Sequence, residues 1–196
     1  MINLLSIKGA IFIFSFLFVF QDAYQPLESD FKVSGTSTMH DWTIVSDKLS
    51  GSATFKAKGN VLEEVSDLKF SIPAESLKSG KRPMDNNTYK ALKTKENPNI
   101  IFELKNVQQL TQRNGKAFIR ANGDLTIAGQ TRLVVLNVTA EVINQEVVFT
   151  GSHKLKMTDF NVTPPAFMAG TIKTGDEVTI NFNLSFNKDN SIKTNK

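Results

Sequence analysis

Two histidines, His40 and His153, are the side chains of this chain poised to change charge near neutral pH. The first lies in His40-Asp41-Trp42, a base beside a carboxylate. Neighbours in a strand point to opposite faces, so the two would not act together within one strand. A strand-end histidine bonded to backbone is the simpler reading. His153 falls on an apolar face between Phe149 and Leu155, where a satisfied interior histidine competes with a polar anchor for a ligand. A metal site would need both histidines to meet in space beside a carboxylate, and none is expected. Asp159 and Asp176-Glu177 read as turn and cap carboxylates. Lys81-Arg82 read as a solvated pair able to meet a phosphate head group. No nucleophile elbow, phosphate-cradling glycine loop or zinc-binding helix motif is present. No catalytic residue, metal or cofactor is expected.

The elements that would carry these residues are mostly strands. Val178, Ile180, Phe182, Leu184 and Phe186 alternate with polar residues, which gives one greasy and one wet face. The same period of two marks Ala53–Ala57, Leu68–Ile72, Ile100–Leu104, Ile119–Ile127, Val134–Val142 and Phe149–Met157. Phe31 to Val45 reads as one extended piece. Turns are expected at Gly59-Asn60, Asn114-Gly115 and Ala128-Gly129-Gln130. Met84, Thr88, Ala91 and Leu92 fall at helical spacing, which predicts a short helix over 84–95 that Pro83 helps to start. The fold class is therefore all-β, with about eight antiparallel strands forming an up-and-down barrel or a sandwich.

A basic residue, Lys8, precedes an apolar run from Gly9 to Phe20 that is too short to span a bilayer as a helix. It reads as a secretory signal cleaved near Ala23, with an uncleaved anchor as the weaker reading. That leaves a barrel domain over 24–188 and a Lys/Asn-rich tail over 189–196. With no cysteine in the chain, disulfides, thiolate metal sites and a lipid-anchored lipoprotein are excluded. The net charge of +4 is scattered, and nucleic-acid binding needs a concentrated basic stripe.

An eight-stranded barrel is filled by its own side chains or holds one slender ligand, and periodicity does not choose between the two. Phe55, Phe70, Phe102, Phe149, Phe160, Phe182 and Phe186 supply flat apolar walls, with Met157 adaptable between them. Gly123 and Gly151 are expected to leave room inside. Each buried methylene contributes about 0.8 kcal/mol, so a long alkyl or prenyl chain would bind with few polar contacts and leave little motif.

Three stretches resemble the YceI family of periplasmic, lipocalin-like proteins. They are Gly35-Thr36-Ser37-Thr38-Met39-His40-Asp41-Trp42; Arg82-Pro83-Met84-Asp85 with Ala91-Leu92 and Pro98-Asn99-Ile100-Ile101-Phe102; and Gly123-Asp124-Leu125-Thr126-Ile127-Ala128-Gly129 with Leu155-Lys156-Met157-Thr158-Asp159-Phe160, Pro164-Pro165 and Gly175-Asp176-Glu177-Val178. The resemblance implies a lipocalin-like, eight-stranded antiparallel up-and-down barrel in the bacterial periplasm. Its apolar lumen would bind a polyisoprenoid or other long-chain amphiphile, with transient membrane contact and no nucleic acid. The expected lining is Trp42, Phe55, Phe70, Phe102, Leu125, Leu136, Phe149, His153, Leu155, Met157, Phe160, Phe182, Leu184 and Phe186. His40, Lys81 and Arg82 are expected near the polar head. A stress or interaction protein with a filled barrel is the rival reading, and an enzyme acting through His153 is the third.

Overall fold

The computed structural model describes residues 22–188; the signal segment and the tail expected from the sequence lie outside them, apart from Asp22 and Ala23. Ten strands follow in order: β1 (Asp22–Ser37), β2 (Trp42–Ser46), β3 (Ser50–Lys58), β4 (Val61–Pro73), β5 (Asn99–Arg113), β6 (Lys116–Ile127), β7 (Gln130–Ile143), β8 (Glu146–Lys156), β9 (Ala166–Phe167) and β10 (Ile172–Lys188). One helix, α1 (Arg82–Leu92), interrupts them between β4 and β5.

Each wall strand pairs antiparallel with the next, and β10 returns to β1, which closes the barrel. β2 and β3 continue one register along the same edge of β1, with Phe31 opposite Ser46 and Tyr24 opposite Ala53. They are two pieces of one broken strand, so the barrel has eight staves. The two-residue β9 pairs only with β10, beyond the barrel wall.

Local chemistry explains the corners. Asn114 and Gly115 both have positive φ (52° and 76°), as do Ala128 and Gly129 (49° and 77°). Paired positive φ values match a two-residue turn to the twist of its flanking strands. The Phe31–Val45 segment is not one extended piece. The chain reverses at 38–41, where the Ser37 hydroxyl donates to the His40 carbonyl oxygen at 2.7 Å and accepts from the Met39 and His40 amides. Helix α1 starts two residues earlier than expected and ends three earlier. Pro83 sits in its first turn, where a missing N–H costs nothing, and Lys93 stops it in the left-handed region at φ 52°.

The barrel has two unlike ends. At one end, where the turns at 59–60, 114–115 and 144–145 gather, Tyr24, Phe55, Phe149 and Phe186 pack ring against ring. The Phe55 centroid lies 4.7 Å from that of Tyr24, 5.3 Å from Phe149 and 5.6 Å from Phe186. Ala53, Ala117, Ala121 and Ala140 are buried in the same cluster. Small residues let the long rings cross the barrel, so this end is solid.

Candidate functional site

The other end is hollow. An apolar cavity of about 750 Å³ opens there. An engineered hole of about 150 Å³ takes one benzene, so at that density there is space for a chain of roughly thirty carbons.

Its floor is aromatic. Phe31, Phe70 and Phe182 line it and also pack on the solid core below; the Phe31 ring lies 6.0 Å from Phe70 and 6.5 Å from Phe182. Phe102 stacks on Phe70 at 5.2 Å. Above them the inward faces of the strands contribute Ile44, Ile72, Leu125, Leu136, Leu155 and Ile180. Helix α1 turns Met84, Thr88, Ala91 and Leu92 toward the cavity. Phe160, Val162, Pro165 and Phe167 stand around the same opening. None of the helix residues is fully buried, because the side they cover is empty.

Three glycines keep the rings against the wall. A Cβ at Gly35 would come within 2.3 Å of the Trp42 ring, one at Gly123 within 2.3 Å of Phe102, and one at Gly151 within 2.4 Å of Phe182. Gly123 and Gly151 therefore do not leave bare space, as the sequence suggested. They let an aromatic ring lie flat on the backbone instead of projecting into the lumen. The Trp42 indole N–H donates to the Thr36 carbonyl oxygen at 2.9 Å, which holds that ring at the rim.

The roof is tied down by polar contacts. The Tyr89 hydroxyl lies 2.9 and 3.0 Å from the Glu75 and Leu77 carbonyl oxygens and accepts from Lys78 Nζ at 2.6 Å. Asp85 accepts from the Ser79 amide and hydroxyl at 2.7 and 2.6 Å. Burial pulls the Asp85 carboxyl upward, but the two Ser79 bonds and the Lys78 charge outweigh it and leave it below the usual value.

Of the fourteen residues expected in the lining, the structure places ten there: Trp42, Phe70, Phe102, Leu125, Leu136, His153, Leu155, Met157, Phe160 and Phe182. Phe55, Phe149, Leu184 and Phe186 belong to the solid end instead; Phe55 is 1% exposed and Phe186 0%. They face inward as expected but lie too deep. His40 and Lys81 stand at the rim and Arg82 takes no part in the lining. The His40 ring bonds the neighbouring Asp41 carbonyl oxygen through Nδ1 at 2.8 Å, as a backbone-bonded histidine would. His153 is half-buried in the wall, and burial pushes its imidazole below the ordinary value. Asp176 caps Thr158, accepting from its amide at 2.9 Å and its hydroxyl at 2.6 Å. Sequence reasoning missed Phe31, Ile44, Ile72 and the 162–167 segment. Ile44 and Ile72 share the strand phase of Trp42 and Phe70, which were chosen, whereas Phe31 lies on β1, from which no candidate was drawn. The segment has no period to betray it.

The same architecture recurs in solved structures. Burkholderia cenocepacia BcnA matches with a TM-score of 0.62 at 23% identity, covering 79% of this chain and 95% of its own. A polyisoprenoid binding domain from Saccharophagus degradans matches with a TM-score of 0.63 at 13% identity, covering 85% and 99%. The Campylobacter jejuni YceI protein matches with a TM-score of 0.51 at 19% identity, covering 71% and 85%. At these identities the likeness establishes the fold. No curated protein matches the chain. The family model of the YceI-like domain matches residues 21–186, nearly all of the barrel, and the chain belongs to that family.

Proposed function

We propose that this protein holds the hydrocarbon part of a long-chain isoprenoid or similar amphiphile in its half-barrel cavity, without catalysis, for lipid storage or transport in the bacterial envelope. The observation that carries the reading is the cavity itself. It is large and apolar, bounded by aromatic rings on one side and an amphipathic helix on the other. A chain inside would touch Phe70, Phe102, Leu125, Leu136, Leu155 and Phe182, and each methylene it buried would contribute about 0.8 kcal/mol. It would enter one half only and stop on the aromatic floor. His153 gives the wall one polar group. The polyisoprenoid binding of the Saccharophagus domain supports the choice of ligand class. Export to the periplasm rests on the basic residue and apolar run before residue 23. The filled-barrel rival accounts for the solid end and leaves the cavity unexplained.

Native mass spectrometry of protein purified from bacterial cells tests the reading. A hydrophobic adduct released by solvent extraction is expected. Protein that is always empty, and that takes up no prenyl alcohol offered from vesicles, would overturn it.

A further inference from the structure

The barrel wall is divided along one line beside the cavity. The β7–β8 ladder runs from Ile143 opposite Glu146 to Val138 opposite Gly151 and stops there. Both strands continue. β7 stays paired to β6 as far as Gln130, and β8 stays paired to β10 as far as Lys156. Residues 130–137 of β7 and 152–156 of β8 therefore face each other without backbone pairing, as a slit beside the cavity. The β4–β5 ladder also stops, at Lys69 opposite Glu103, but its unpaired part runs toward the turns of the solid end.

Side chains alone fill that slit. An outer groove runs along it, and Val134, His153, Leu155 and Phe160 line both the groove and the cavity. Only one layer of side chains separates the two. On the outer lip Leu133 is 65% exposed and Val135 37%. A free strand edge is usually covered, shortened or charged to prevent sticking; this one presents apolar residues. One hydrogen bond crosses the slit near the open end, where Arg132 Nε donates to the Asp159 carbonyl oxygen at 2.8 Å.

We infer that the slit between β7 and β8 is a lateral doorway through which a hydrocarbon chain passes between the cavity and an apolar phase outside. This rests on the lipid-binding reading above. Passage there breaks no ladder. It needs rotation of the His153, Leu155 and Phe160 side chains and release of the Arg132 bond, whereas α1 is fastened by several polar contacts. Exposed Leu133 and Val135 give the leading end of an uncharged chain an apolar surface to meet first.

The absence of native cysteine makes the test clean. Val135→Cys with Lys154→Cys places one thiol on each lip, to be joined by a short reductant-cleavable bis-methanethiosulfonate. Loading with cis-parinaric acid, a fluorescent long chain, is followed by stopped flow from phosphatidylcholine vesicles. The joined protein should load and release at least tenfold more slowly, bind the same amount at equilibrium, and recover on reduction. Arg132→Ala should speed exchange several-fold. A control pair in the sealed part of the same seam, Thr139→Cys with Thr150→Cys, which are ladder partners, should leave the rate unchanged. Loading of the slit-joined protein at the unjoined rate would overturn the doorway. So would equal slowing by the control pair, or a fall in the amount bound instead of the rate. Wild-type protein that takes up no chain would sink the lipid-binding reading and the doorway together.

Discussion

Phe149 and Leu155 stand on the same inward face of β8, yet their surroundings differ. Phe149 lies ring to ring with Phe55 and Phe186, at 5.3 and 5.9 Å. Leu155 looks into the empty half of the barrel. Alternation sent both inside. What separates them is the reach of the side chains opposite and the state of the ladder. At the solid end, rings cross the barrel over buried alanines. At the hollow end, Gly35, Gly123 and Gly151 hold the rings against the wall, β7 and β8 part, and α1 lines the cavity from the β4–β5 connection. The ladders that stay paired on either side of that slit, and the β1–β10 closure, hold the strands apart at the hollow end, so it does not shrink to fill itself.

The largest effect should separate the two ends most plainly. Phe55→Ala removes a side chain gripped on all sides and should cost about 3–5 kcal/mol in urea unfolding. Leu155→Ala should cost about 1 kcal/mol, below the usual range for a buried leucine, because one of its sides already faces space. Equal costs would break the comparison. Enlargement should reverse the contrast. Phe149→Trp overpacks the solid end at about 1–3 kcal/mol. Leu136→Trp should change stability by less than about 1 kcal/mol and weaken chain binding about tenfold, a difference of roughly 1.4 kcal/mol. Both are readable by unfolding and by titration with a fluorescent lipid. Gly123→Ala sharpens the account of the hollow end, since its methyl would displace the Phe102 ring. We expect a cost of about 1 kcal/mol and a crystal structure in which that ring has swung into the cavity.

The smallest effect concerns His153. In the unfolded chain its ring protonates at the ordinary imidazole value, whereas burial keeps it neutral to lower pH in the folded protein. Its contribution is therefore whole above the ordinary value and is lost as pH falls through the lowered one. Thermal melts across this range should show wild-type losing stability toward acid, and His153→Gln losing less. Parallel curves would show that burial of this ring does not set the pH dependence.

Much of the fold was legible in the residues. The strand phases, the Asn114-Gly115 corner and the helical spacing of Met84, Thr88, Ala91 and Leu92 all carry their physics locally. The reversal at 38–41 was not, because Thr38-Met39-His40-Asp41 has neither glycine nor proline and the turn is built by the Ser37 hydroxyl. The candidate site was half legible. Leu125, Leu136 and Leu155 could be assigned to the interior from their alternation, and so could Phe55 and Phe186. Depth along the barrel could not be read the same way, since a period of two is identical at the floor and at the mouth.

The sequence by itself determined which side chains face in, that the molecule must close on itself to hide them, and which family it resembles. Only the tertiary structure decided that one half is packed and the other open. That outcome depends on which rings meet across the barrel and which seams stay paired, and both are relations between residues far apart in the chain.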